Sequence, residues 1–159
     1  MKKLNNYITE RLKLTSRSNA YTCQPKDVYT FRKILKERLD KNKDANLNDI
    51  DVSKITDMSA VAGNNLGLFE LLDPHNIKIN EWDVSNVTDM SEMFYECENF
   101  NCDLSKWNVS NVTDMSGMFY NCVNFNANLS KWNVSNVEYM NSMFYGCKSL
   151  KNKPTWRRI

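Results

Sequence analysis

One histidine, four glycines and three prolines are all that 159 residues hold of three residue types on which much enzyme chemistry leans. With His75 alone, set beside Pro74, a nucleophile has one imidazole to call on, and that imidazole reads as a loop residue. The four glycines spell neither Gly-x-Gly-x-x-Gly nor Gly-x-x-x-x-Gly-Lys, so the chain writes no phosphate cradle. No apolar run approaches the roughly 18 residues that a membrane-crossing helix needs. The start Met1-Lys-Lys has the charge of an export leader but meets Asn5, Asn6, Glu10 and Arg11 before any apolar core, which predicts a cytoplasmic protein. Five cysteines, an odd number without a Cys-x-x-Cys pair, give neither a zinc site nor a disulfide framework. These absences together predict a non-enzymatic chain without cofactor or metal.

What the chain does have is one phrase written three times. From Trp82, Trp107 and Trp132 it runs Trp-Asx-Val-Ser-Asn-Val, then Thr-Asp-Met-Ser-x-Met-Phe-Tyr-x-Cys in the first two and Glu-Tyr-Met-Asn-Ser-Met-Phe-Tyr-Gly-Cys in the third. A fixed period of this length marks units that cannot bury their apolar face alone and do so against one another. The recurring apolar set is Val109, Val112, Met115, Met118, Phe119, Cys122 and Phe125, with equivalents in the units before and after. Within a unit, the β-branched stretch through Val112 and Asp114 predicts a short parallel strand. Met115, Met118, Phe119 and Cys122 at i, i+3, i+4 and i+7 predict a short helix, with Asp114 or Ser116 as its cap. The fold class expected is α/β: short parallel strands and short helices wound into a stack, closed at the amino end by α-helices.

These motifs closely resemble the BspA-type leucine-rich repeat, over roughly residues 50 to 150. The resemblance implies a right-handed solenoid used for protein recognition and brings no catalytic residue with it.

Around the repeats the chain divides into 1–49, a helical arm and cap; 50–150, the repeats, with a degenerate first unit at 50–81 followed by 82–106, 107–131 and 132–150; and 151–159, a basic end. Val52, Ile55 and Met58 precede their counterparts Val84, Val87 and Met90 by 32 residues rather than 25, so seven residues are inserted between Ala62 and His75. That segment carries Leu66, Leu68, Phe69, Leu71 and Leu72, readable as an exposed apolar knob for a partner or as repacked core. After Cys147 the pattern decays: Pro154 and an early Trp156 predict half a unit serving as a lid.

Charge is strongly segregated. Residues 1–49 carry 12 basic and 6 acidic side chains, residues 50–150 carry 5 and 13, and residues 151–159 carry 4 and none. An acidic stack disfavours nucleic acid on the repeats and favours a protein partner with a basic surface, or self-association into a larger assembly. Two helices are predicted before the repeats. The first, through Leu4, Tyr7, Ile8, Arg11 and Leu12, is either a packed arm or a docking signal that would make the chain a packaged cargo of a phage particle. The second, from Asp27 to Lys41, buries Phe31, Leu35 and Leu39 as a cap and offers Arg32, Lys33 and Lys36 as a possible basic surface for nucleic acid.

Candidate partner-binding positions are the outward columns: Thr56, Thr88, Thr113 and Glu138, with Glu92, Gly117 and Ser142, and Glu96, Asn121 and Gly146. Asn86, Asn111 and Asn136 are expected to turn inward and satisfy backbone groups between units. Asp57, Asp89 and Asp114 line up at one position, where either calcium or local capping explains them.

Overall fold

A computed structural model describes residues 21–59 and 76–156. The first predicted helix, the segment 62–75 with Leu66, Leu68, Phe69 and His75, and the end at 157–159 lie outside the described residues.

The one α-helix among them, α1 (Val28–Leu39), starts where Asp27 accepts a hydrogen bond from the Thr30 backbone N–H, satisfying one of the donors a helix start leaves open. Phe31, Leu35 and Leu39, spaced by four, are fully buried, and the Phe31 ring meets Trp82 edge-on at 5.3 Å. The helix therefore covers the first units, as the spacing of its apolar residues predicts. Cys23 forms a parallel bridge with Ile50, and Arg38 joins this stretch to Asp49 at 2.6 Å.

Successive units lie one upon the next in register. Parallel bridges link Asp57 to Asp89, Asp89 to Asp114, and Asp114 to Tyr139. The indole N–H of Trp107 donates to the carbonyl of Ile79 and that of Trp132 to Leu104, both at 3.0 Å, while Trp82 reaches back to Leu47. The interval is 28 residues for Trp107 and Trp132 and 35 for Trp82, so the seven-residue difference leaves the register of the stack unchanged. Trp82 and Trp107 stack at 6.2 Å, and Trp156, one residue early, still lies flat on Trp132 at 6.4 Å.

The interior is one apolar column. Phe94, Phe119 and Phe144 are face to face at 5.5 and 5.8 Å, and Phe100 and Phe125 form a second file at 5.9 Å. Cys97, Cys122 and Cys147 are buried free thiols. The thiols of Cys122 and Cys147 donate to the Phe94 and Phe119 carbonyls at 2.9 and 3.0 Å. They act as small core residues.

Among the described residues, the predicted short helices are absent from the units beginning at Trp82, Trp107 and Trp132. From Met90 to Cys97, and again from Met115 and Met140, the chain makes consecutive turns, with Glu92, Glu96, Asn121, Ser142, Gly117 and Gly146 at positive φ. Two left-handed residues four apart cannot belong to an α-helix. The apolar spacing of a helix is produced instead by turns whose N–H groups bond the next unit: Gly117 to Asn141 at 2.9 Å, Phe119 to Met143 at 3.0 Å, and Asn121 to Tyr145 at 2.7 Å. The predicted strands shrink likewise to single bridges; in the unit from Trp107 the Asx turns of Asn108 and Asp114 interrupt the chain before and after its bridge.

Candidate functional site

Three turns in each of the units from Trp82 and Trp107 are built by one local device, a side-chain oxygen of Asp or Asn accepting from the backbone N–H two residues on. In the unit from Trp107 these are Asn108 with Ser110, Asp114 with Ser116, and Asn128 with Ser130, at 2.7 to 3.2 Å. This accounts for the aspartate column. The Asp57, Asp89 and Asp114 carboxylates accept from the Ser59, Ser91 and Ser116 amides, so their oxygens hold turns. Among the described residues no cluster of three or more metal-ligating side chains occurs.

The asparagine column bonds between units as expected but from the rim: Asn86, Asn111 and Asn136 are exposed, and each donates to a serine carbonyl of the preceding unit at 2.6 to 2.8 Å. The threonine column runs beside it. Thr88 and Thr113 are exposed and turn their hydroxyls back onto the Thr56 and Thr88 carbonyls at 3.2 and 3.1 Å, and the exposed Glu138 ends the row. Tyr139, where the other units have aspartate, is 55% exposed.

The columns of Glu92 and Glu96 have a backbone explanation that spacing alone misses. Both fall at the left-handed positions of the turn, where the next unit places Gly117 and Asn121 and the last Ser142 and Gly146. Residue size alternates for a second reason. A Cβ on Gly117 would lie 3.3 Å from the Glu92 side chain, and one on Gly146 would overlap the Asn121 amide, so each outward side chain occupies the space its glycine neighbour leaves.

Between these columns runs a file the sequence reading passed over. Tyr95, Tyr120 and Tyr145 stack at 4.8 and 4.9 Å with rings nearly parallel. The signal was the Phe-Tyr pair itself, in which phenylalanine faces the core and its neighbour must face out.

The three residues offered as a basic surface divide. Arg32 is half-buried and donates to the Ser59 carbonyl, its guanidinium pKa lowered by burial and partly restored by Asp57. Lys36 pairs with Asp40 at 2.9 Å, and Lys33 is exposed. Only part of the face is thus available to phosphate.

At the carboxyl end of the stack a cleft of about 550 Å³ is lined by Val134, Met140, Phe144, Tyr145, Pro154 and Trp156, among others. No helix among the described residues is long and apolar enough to cross a membrane.

A chain that repeats one 25-residue unit, joins each copy to the next by the same bonds and turns the same columns outward is a tandem-repeat protein. It belongs to the family described as Mycoplasma protein of unknown function, DUF285, which matches residues 28–156. No curated protein and no solved structure matches the chain.

Proposed function

We propose that this chain is a non-enzymatic protein-recognition module, a short solenoid of the BspA-type leucine-rich-repeat kind, whose outer wall binds a basic segment of a partner protein. The observation that carries the reading is the pair Glu92 and Glu96 beside the tyrosine file. A residue other than glycine held at φ near 55° costs about 1 kcal/mol. The other units lower that cost at Gly117, Asn121 and Gly146, while Ser142 at φ 57° carries it with an uncharged side chain. Among the described residues neither carboxylate has a salt-bridge partner, so the fold gains no ion pair from them. Carboxylates next to stacked phenol rings suit lysine and arginine, which bond the acid and lie over the ring face. Thr88, Thr113 and Glu138 extend the same wall.

Photo-crosslinking tests this with a benzophenone side chain at Tyr120 and a control at Lys131, in extract of the native cell. The captured segment is expected to be rich in lysine and arginine, and capture is expected to fall at least fivefold in Glu92→Gly/Glu96→Asn without loss of thermal stability. Equal capture at the control position, or capture indifferent to both glutamates, would overturn the reading.

A further inference from the structure

The carboxyl end of the stack is an unfinished interface, and the chain itself shows what finishes it. In the unit from Trp82 the N–H groups of Met90, Glu92, Phe94 and Glu96 donate to the carbonyls of Asp114, Ser116, Met118 and Tyr120, at 2.7 to 2.9 Å. In the next unit Met115, Gly117, Phe119 and Asn121 donate to Tyr139, Asn141, Met143 and Tyr145, at 2.7 to 3.0 Å. Every second peptide group therefore points its N–H toward the carboxyl end and its C=O toward the amino end. At the last unit the corresponding donors are Met140, Ser142, Phe144 and Gly146, and none has an acceptor among the described residues. Four parallel donors in a row, without an interleaved acceptor, form an edge that only carbonyls or other acceptors can satisfy.

Apolar exposure marks the same edge independently. Val109, Met115 and Phe119 are at most 1% exposed, whereas Val134, Met140 and Phe144 at the same register are only half-buried. The phenylalanine file ends on an open face of Phe144, and the tyrosine file ends on Tyr145, 63% exposed. Residues 151–156 cover part of this end, Trp156 lying on Trp132, and among the described residues the edge from Met140 to Gly146 borders the open cleft.

We propose that this edge docks a segment of another polypeptide with the pattern Met-x-x-Met-Phe-Tyr, adding one more layer to the stack. The assignment of the occupant follows from the two completed interfaces inside the chain. In both, what covers the donors is a segment that presents backbone carbonyls at alternate residues and lays a Phe and a Tyr on the rings beneath. A second copy joined by a two-fold axis does not serve, since four donors would then oppose four donors. The proposal rests on the stacking part of the reading above and names a second contact, separate from the outer wall.

The probe is a synthetic peptide with the sequence of residues 107–131, titrated into the full chain and followed by amide hydrogen exchange and by ultracentrifugation. In the free chain the amides of Met140, Ser142, Phe144 and Gly146 are expected to exchange at least a hundredfold faster than those of Met115, Gly117, Phe119 and Asn121. The peptide is expected to bind one to one, slow those four amides, and lose at least tenfold in affinity against Phe144→Asp, while Glu92→Gln/Glu96→Gln leaves its binding unchanged. Four amides already protected in the free chain, a scrambled peptide that binds equally, or a two-fold dimer through Phe144 would each overturn the proposal. Peptide binding without crosslinks at Tyr120 removes the wall reading alone, and crosslinks without peptide binding remove this one alone.

Discussion

Phe119→Ala and Phe144→Ala change the same residue type at the same register, and the structure separates their effects. Phe119 is fully buried between Phe94 at 5.5 Å and Phe144 at 5.8 Å, and it also meets Phe125 at 4.2 Å within its own unit. Truncation there opens a cavity with ordered layers on both sides, so collapse is difficult. Loss of transfer energy together with the cavity costs about 4 kcal/mol, a large part of the roughly 5 to 15 kcal/mol that holds most domains folded. Phe144 has the same ring contact on one side and is half-buried, with its outer face toward the cleft. Its truncation forfeits about half as much, on the order of 2 kcal/mol. Urea unfolding followed by tryptophan fluorescence measures both, and an unchanged slope with denaturant shows that stability alone has moved. Should Phe119→Ala leave no folded protein, Phe119→Leu at about 1.5 kcal/mol takes its place in the comparison. Equal losses at the two positions would refute the claim that the last unit is capped on one side only.

Gly146→Ala is expected to destabilise more than Gly117→Ala, because its Cβ meets the Asn121 amide oxygen at 2.0 Å where that of Gly117 meets the Glu92 side chain at 3.3 Å. Adding Asn121→Gly should restore about 1 kcal/mol to the former, read as thermal melting of the double variant against the single. Thiol labelling at pH 8 should modify Cys23 first. Burial pushes Cys147 up to about 11 from an ordinary value near 9, and Cys122 further still. The thiolate fraction of Cys147 is then about a hundredfold lower, so labelling of both should accelerate with rising pH and after unfolding. In linkage terms the raised thiols favour the folded state fully below about pH 9, and that contribution fades as pH climbs through the folded value. Fast native labelling of Cys122 at neutral pH would contradict the packed cysteine file.

How much of this fold the sequence discloses depends on whether the signal is a period or a conformation. The period needs only residue identity, and Trp82, Trp107 and Trp132 duly donate to carbonyls at one register, with the 32-residue first interval appearing as the Asn46 to Lys78 and Asp57 to Asp89 bridges. Conformation is degenerate in the apolar pattern. Spacing at i, i+3, i+4 and i+7 is met by two helical turns and equally by a turn chain that becomes left-handed at its third and seventh positions. The discriminating letters were the polar ones: Gly117 and Asn121, then Gly146, standing at the two places where a helix would favour alanine or leucine. The recurrent Asx-x-Ser pairs say the same, since an oxygen that caps the amide two residues on competes with helix and strand alike.

The candidate site divides along the same line. Thr88, Thr113 and Glu138 form an outward column because a two-residue alternation around Val87, Val112 and Val137 is enough to place them. The tyrosine file needed one further step, that the residue after a buried phenylalanine faces solvent and repeats with it. The open donor edge at Met140 to Gly146 could not be read from any single unit, for Met140 and Met115 are the same letter in the same phrase. What distinguishes them is only which side of the stack has a neighbour, and in a one-dimensional array that makes the last unit the place where the internal interface becomes a binding surface.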